Sequence, residues 1–226
     1  MHPYEFPHPE EVKKYLDRRF GQETELIHRL RRENEDDPHL PNIHVSIHIG
    51  RLIYLLAKIQ RAERILEVGT LGGYSTACLV QALPSHGSLI TLEIDPYHAN
   101  KTTEYFNKCG EKRVEVRVGH AVDLMAHMDL AEGKKFDLIF IDADKENNAL
   151  YLDWAIRLGR SGTLIIIDNL IPKGKQVGYP SHDEAINVYA FNDYLAQHPL
   201  LEVAAIPTLV GPFGRLDALA MAYVKS

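Results

Sequence analysis

Two apolar runs end in residues that could do chemistry. FDLIFIDADK closes on Asp142, Asp144 and Lys145, and TLIIIDN closes on Asp168 and Asn169. If the runs are neighbouring parallel strands, about 4.8 Å apart, then Asp142, Asp168 and Asn169 converge at the mouth of one sheet. Two carboxylates and an amide carbonyl are hard ligands. They suit Mg²⁺ or a similar divalent cation, which leaves positions open for water or substrate oxygens. Without a cation, carboxylates so close repel, and one tends to take up a proton. The competing use of such residues is to cap the helices that follow. Asn169 beside Asp168, and the density of charge right after buried runs, weigh towards the cation. Lys145 is either a general base or a counter-ion to Asp142 and Asp144. Nearby carboxylates favour its charged form and work against a base, and a bound cation would reverse part of that effect.

A second constellation lies earlier, in ILEVGTLGGYSTA. Gly69, Gly72 and Gly73 sit where a first strand turns into a helix that Ser75 could cap. In open α/β sheets a ligand binds at the carboxyl ends of the strands. A dinucleotide fold wants G-x-G-x-x-G here, whereas these glycines give E-x-G-x-x-G-G with Glu67 leading. A carboxylate at that seat would repel a pyrophosphate. It would suit a cationic ligand such as S-adenosylmethionine, which carries an ammonium and a sulfonium. A tight turn with no ligand is the alternative. An acidic residue about 20 residues past such a turn pairs with ribose hydroxyls in nucleoside-binding folds. Glu93, closing LITLE, fits that role, each bond to an ionised acceptor contributing roughly 1.5–3 kcal/mol. Asp95 precedes Pro96 and reads better as a helix N-cap. Gly119-His120-Ala121 could let backbone reach a flat base edge, with His120 itself on the surface.

Other candidates are weaker. His44 and His48 stand at i, i+4, a spacing zinc can use, but no H-E-x-x-H pattern or third ligand accompanies them. They read as a solvated or cap-lining face. Cys78 and Cys109 are the only two cysteines, too few for a disulfide framework, which favours a reducing, cytoplasmic setting. The N-terminus lacks an apolar leader-like segment, and no apolar run reaches the roughly 20 residues a membrane helix needs. The formal net charge of −6 argues against general nucleic-acid or anionic-membrane binding.

The elements that must position these residues follow from the pattern. Strand-like runs occur at Arg64–Val68, Ser88–Ile94, Val114–Val118, Phe136–Ile141 and Thr163–Ile167. Helix-length segments separate them, at Ser75–Leu83, Tyr97–Cys109, Ala121–Met128 and Asn147–Leu158. Continuous apolar strands read as parallel and covered on both faces. The alternation predicts a doubly wound α/β sheet. The tail adds a helix at His182–Gln197 and strands at Leu201–Ile206 and Ala218–Val224. Pro212, Phe213 and Gly214 separate the last two as a hairpin-like loop, so the final strand is expected to run antiparallel. The first 60 residues hold two predicted helices, Glu10–Asn34 and Ser46–Ile59, and no strand. Within the 226 residues no linker appears, which predicts one domain: a helical cap over 1–60 and an α/β core over 61–226.

LEVGTLGGYS, TLEID, the Gly-x-Ala at Gly119–Ala121, FDLIFIDADK and IIIDN together resemble the cation-dependent class I O-methyltransferases. This is the group that contains catechol and caffeoyl-CoA O-methyltransferases. The resemblance runs in order from about Val45 to Asn169 and more loosely beyond. It implies a Rossmann-like, seven-stranded sheet with a reversed last strand and a helical N-terminal cap, and it suggests a homodimer. By that resemblance Glu67, Gly69, Thr70, Tyr74 and Ser75 would hold the methionine part of S-adenosylmethionine. Val45 would cover the cofactor, Glu93 would bind its ribose, Ala121 would sit at its adenine, and Asp144 would lie against it. Asp142, Asp168 and Asn169 match the family's metal ligands and Lys145 its proposed base. The implied acceptor is a vicinal-dihydroxy, catechol-like aromatic.

Three departures concern the acceptor side. Asn148 stands where plant members often have Tyr, Tyr189-Ala190 replaces an Arg before Phe191-Asn192, and the late Asp-Gly pair reads Asp217-Ala218. Specificity is expected in the Ile171–Ser181 loop, the cap and the Thr208–Arg215 loop. There Lys173, Lys175 and Arg215 could meet an anionic acceptor and Tyr179 could line its ring. Competing expectations are a metal-independent class I methyltransferase, an NAD-dependent dehydrogenase that the loop spacing disfavours, and a non-catalytic binding protein of the same fold.

Overall fold

The computed structural model describes residues 7–131, 134–172, 183–211 and 213–226. Seven strands among them form one sheet: β1 (Arg64–Val68), β2 (Ser88–Glu93), β3 (Val114–Val118), β4 (Leu138–Ile141), β5 (Leu164–Ile167), β6 (Leu201–Val210) and β7 (Arg215–Val224). Their order is β3-β2-β1-β4-β5-β7-β6. The first five are parallel. β7 lies between β5 and β6 and runs antiparallel to both, as the expected reversed last strand.

Burial explains why the central strands read as unbroken apolar runs. In β4 all four residues are buried; Leu138 and Phe140 enter one core cluster, Ile139 and Ile141 the other. A strand covered on both faces has no polar side to alternate. One face carries α4 (Tyr74–Val80) and α5 (Pro96–Lys108). The other carries α6 (Ala121–Ala131), α7 (Asn148–Leu158) and α8 (Asp183–Gln197). Among the described residues no helix is long and apolar enough to cross a membrane.

The N-terminal region departs from expectation. Where the sequence predicts one helix over Glu10–Asn34, there are two, α1 (Pro9–Phe20) and α2 (Glu25–Glu35), followed by α3 (Ile47–Gln60). The break is tertiary in origin. At Gly21 the chain presses against α3: a Cβ there would lie 2.6 Å from both the Asp17 carbonyl oxygen and Ile47 Cγ2. Thr24 then starts α2, its hydroxyl accepting from the Ile27 amide at 3.4 Å. α2 and α3 contribute Ile27, Leu30, Ile49, Ile53 and Ala57 to the cluster that contains Phe140.

His48 and His44 turn to different partners. The amide and the ring Nδ1 of His48 both donate to Asp17 Oδ1, at 3.0 and 2.6 Å. Burial pushes the Asp17 carboxyl up, but hydrogen bonds from His48 and Lys13 outweigh it and hold the group at about 2. His44 meets the Val45 carbonyl through Nδ1, and its ring lies 5.0 Å from that of Tyr74.

Two local expectations also change. Ser75 is not the cap of α4; Gly73, at φ 76°, is the N-cap, and Ser75 falls inside the first turn. Predicted strand starts at Phe136 and Thr163 move inward to Leu138 and Leu164. Asp137 instead accepts the amides of Glu63 and Arg64, tying β4 to β1 at the amino ends of the strands. Asp95 does cap α5, accepting from the Tyr97 amide at 2.7 Å with Pro96 in the first turn. His182, Pro212, Lys173, Lys175 and Tyr179 lie outside the described residues.

Candidate functional site

β1 pairs with β2 on one side and β4 on the other, so the chain departs in opposite directions from this point. Such a switch in strand order opens a crevice at the carboxyl ends. The hydrogen-bond ladder continues one residue past each strand. Gly69 donates to the Leu92 carbonyl at 3.0 Å, Asp142 to Val68 at 2.9 Å and Asp168 to Ile141 at 3.0 Å. Gly69, Asp142 and Asp168 therefore stand in a row along one rim. Gly69 is required for this: its φ is +97°, and a Cβ would lie 2.2 Å from the Asp142 carbonyl oxygen.

A cavity of about 600 Å³ opens above the rim. This lies within the range of small-molecule sites. Val45, Gly69, Thr70, Tyr74, Ser75 and Glu93 line it, and so do Asp142, Asp144, Lys145, Asp168 and Asn169. Glu67 and Ala121 do not. Ala121 opens α6, two residues past Gly119, whose amide donates to the Glu93 carbonyl at 2.9 Å. Glu67 is fully buried below the loop. Thr76 Oγ1 donates to its Oε2 at 2.5 Å, while its Oε1 has no partner. Burial pushes the Glu67 carboxyl up to about 7; hydroxyls of Ser75, Thr76 and Thr91 pull against that rise and the Asp142 charge adds to it. A buried carboxylate with an oxygen to spare fits a cationic ligand nearby.

Glu93 does more than face the cavity. Its Oε2 accepts from the amides of Leu71 at 2.7 Å and Thr70 at 3.2 Å, and its Oε1 from that of Asp95 at 2.9 Å. Leu71 has φ +50°, a left-handed backbone that Glu93 helps to hold. A carboxylate offers about four acceptor positions, so capacity for ligand hydroxyls remains. Above the loop, Asn34 of α2 donates to the Gly72 carbonyl at 2.8 Å, and Tyr74 donates to Glu23 at 2.9 Å. α2 and the residues just before it thus hold the glycine turn from outside.

Further along the same rim Ile141 pairs with Ile167, so Asp142 and Asp168 occupy equivalent positions one residue past the two strands. Asp168 is 2% exposed. Burial first, and then the Asp142 charge, pushes its carboxyl well above the ordinary range, against the pull of Lys145. Lys145 Nζ lies 3.3 Å from Asp142 Oδ1 and 3.5 Å from the Asp168 carbonyl oxygen. Asn169, at φ +65°, donates its side-chain Nδ2 to Asp217 Oδ2 at 3.2 Å, leaving Oδ1 as its remaining acceptor. Two carboxylates that repel each other, one of them resisting charge, in a cavity that Asn169 also lines are a donor set that a divalent cation would suit. The oxygens of Asp144 accept from Asn147 and, at 2.5 Å, from Tyr151.

Sequence reasoning did not single out Asn42, Ile43, Leu71 and His98, which also line the cavity, as do His44 of the expected cap-lining face and Val210 of the Thr208–Arg215 segment. The stretch before α3 has no periodicity to mark it. His98 was findable, because the Asp95-Pro96 start places it in the first turn of α5, 3.8 Å from Glu93 Oε1. Arg215, weighed as a loop cation, is in the lining. Asn148 is buried at the start of α7 with its Oδ1 unpartnered and does not line the cavity.

Three comparisons bear on this arrangement. An O-methyltransferase family model matches residues 18–213. Catechol O-methyltransferase of Mycobacterium tuberculosis is 39% identical over 221 residues, 97% of each chain. That of Niastella koreensis is 40% identical over 188 residues, 82% of this chain and 84% of the relative. Among solved structures, the O-methyltransferase from Bacillus cereus in complex with SAH superimposes with a TM-score of 0.86 at 36% identity, over 95% of this chain and 97% of that one.

Proposed function

The chain belongs to the O-methyltransferase family, and from that footing we propose that it moves the methyl group of S-adenosylmethionine onto one hydroxyl of a vicinal-dihydroxy aromatic acceptor. We infer that the reaction uses a divalent cation such as Mg²⁺. One observation carries the reading: Asp142, Asp168 and Asn169 line the same cavity as Gly69 and Glu93. A methyl donor seated at one and a chelated diol at the other would be neighbours. Two relatives named catechol O-methyltransferase support the choice of acceptor.

Glu93 would hold the ribose, Gly69, Thr70, Tyr74 and Ser75 the amino-acid end, and Val45 would cover the donor. Ala121 and Asp144 are assigned to the same ligand, and Glu67, bonded to Thr76 beneath the glycine turn, is assigned to its methionine part, whose positive charge would favour the ionised carboxylate. Asp142, Asp168 and Oδ1 of Asn169 would hold the cation. Bound there, a divalent cation supplies Lewis acidity that lowers the pKa of an acceptor hydroxyl and orients it. Lys145 Nζ stands beside both Asp142 and the Asp168 carbonyl. From that place its neutral amine form, and not the ammonium, could receive the hydroxyl proton. The acceptor oxygen then attacks the methyl carbon in line, and the sulfonium departs as a neutral thioether. Positioning supplies most of the acceleration. Charge disappears in the step, so a cavity that excludes water favours it.

The experiment is a catechol screen with methyl-labelled S-adenosylmethionine, in Mg²⁺ and in excess EDTA. Transfer to catechols in Mg²⁺, lost in EDTA, is the expected result; full turnover in EDTA would reject the cation. The second reading, a metal-independent methyltransferase, draws on the Lys145–Asp142 contact, which already places a cationic side chain at that seat. Transfer to a monophenol in EDTA would favour it.

A further inference from the structure

We propose that Asp217 is a positioning residue that determines which end of the Asn169 amide meets the cation. The inference rests on the divalent-cation reading above and extends it to a residue outside the cavity lining. An asparagine amide has an acceptor end and a donor end, and only the oxygen can bind a cation. A carboxylate only accepts. Asp217, with its side chain fully buried, faces Asn169 Nδ2 at 3.2 Å, so the nitrogen is held on its side and Oδ1 is left for the cavity.

The other bonds of Asp217 make this orientation firm. Its Oδ1 accepts from the main-chain amides of Ile171 at 3.0 Å and Ala218 at 2.8 Å. Its Oδ2 accepts from Arg215 Nη2 at 2.6 Å as well as from Asn169. Four donors surround an acceptor-only group, and none of its oxygens can turn away without stranding one of them. The reversed strand is what makes the contact possible. β7 runs antiparallel to β5, with Ala220 opposite Ile167. The beginning of β7 therefore lies beside the end of β5, where Asp168 and Asn169 stand. A parallel strand in the same place would have put Asp217 at the amino end of β5, away from Asn169.

The geometry specifies a swap experiment on the full chain, read by Mn²⁺ binding (electron paramagnetic resonance or calorimetry) with thermal melting alongside. In Asp217→Asn the two main-chain amides keep the new oxygen on their side. The new Nδ2 then meets Asn169 Nδ2, donor against donor, and Asn169 must turn over. Mn²⁺ affinity should fall about ten- to a hundred-fold, as for other groups that orient metal ligands. In Asn169→Asp two carboxylates collide. With both changes together, Asn169→Asp and Asp217→Asn, the donor and acceptor are exchanged across the same contact. Mn²⁺ affinity should return to within a few-fold of the unmodified chain. A residue that merely tied β7 to β5 would not give this recovery.

Asp217→Asn binding Mn²⁺ as well as the unmodified chain would overturn the inference, and so would a swapped pair no better than the single variant. If Asp217→Asn alone loses its melting transition, recovery of both the transition and Mn²⁺ binding in the swapped pair supports the inference, and continued loss overturns it. An unmodified chain that binds no Mn²⁺ would instead reject the cation reading itself, and this inference with it.

Discussion

Replacing Glu93 should damage the protein before any ligand is added. A residue reserved for ribose could be removed from the ligand-free chain with little effect on stability. Glu93 instead accepts three backbone amides, those of Thr70, Leu71 and Asp95, and is 7% exposed. Bonds to a charged acceptor contribute roughly 1.5–3 kcal/mol each. Glu93→Ala opens space for water, which recovers part of that, so a net loss of about 2–4 kcal/mol is expected. In a chain of this size, each kcal/mol moves the melting temperature by about 2–4 °C. Glu93→Ala should then melt about 5–15 °C lower with no ligand present. Glu93→Gln keeps one acceptor oxygen and should fall between. Differential scanning calorimetry of the three ligand-free chains measures this directly. Titration with S-adenosylhomocysteine then gives the ligand term, which should weaken strongly in Glu93→Ala. A melting temperature within 2 °C or so of the unmodified chain would refute the scaffolding argument, whatever the titration shows.

Two further outcomes follow from the same geometry. Gly69→Ala should lower both stability and cofactor affinity, because it strains a φ of +97° and drives a Cβ to 2.2 Å from the Asp142 carbonyl oxygen. The backbone alone costs about 1–3 kcal/mol; unchanged melting and titration curves would exclude this close approach of Gly69 to Asp142. Burial holds Glu67 at about 7, above its ordinary 4.5. The folded chain thus keeps a proton that the unfolded chain releases between those values, and stability should decline as pH rises through that window. Glu67→Gln removes this decline, so its melting temperature should gain on the unmodified chain from pH 5 to pH 8 in the absence of ligand. Parallel pH profiles for the two chains would show that Glu67 does not titrate there.

Much of the scaffold was legible because it depends on local pattern. Leu138–Ile141 and Leu164–Ile167 are apolar throughout, since both faces of β4 and β5 are covered, and their shared register carries Asp142 and Asp168 to equivalent positions. The Asp95-Pro96 cap likewise states where α5 begins. What stayed hidden depends on contacts far apart in sequence. Nothing near Gly21 reveals that Ile47 will press against it and split a helix. The spacing that marks Glu93 as an acid past a strand does not disclose that the loop amides already use its oxygens. Asp217 stands 48 residues from Asn169, and only the insertion of β7 beside β5 joins them. Ser75 misled for a different reason: its hydroxyl suggested a cap, but a left-handed Gly73 packed against Thr102 performs that turn.

The central claim is that three side-chain oxygens at the ends of β4 and β5 bind one divalent ion beside the methyl donor. A crystal of the chain grown with Mn²⁺ and S-adenosylhomocysteine, measured for anomalous scattering, tests it most directly. The account predicts a single strong peak about 2.1 Å from an oxygen of each of Asp142, Asp168 and Asn169. A fully liganded cavity with no peak there, or with Mn²⁺ bound elsewhere, would contradict it.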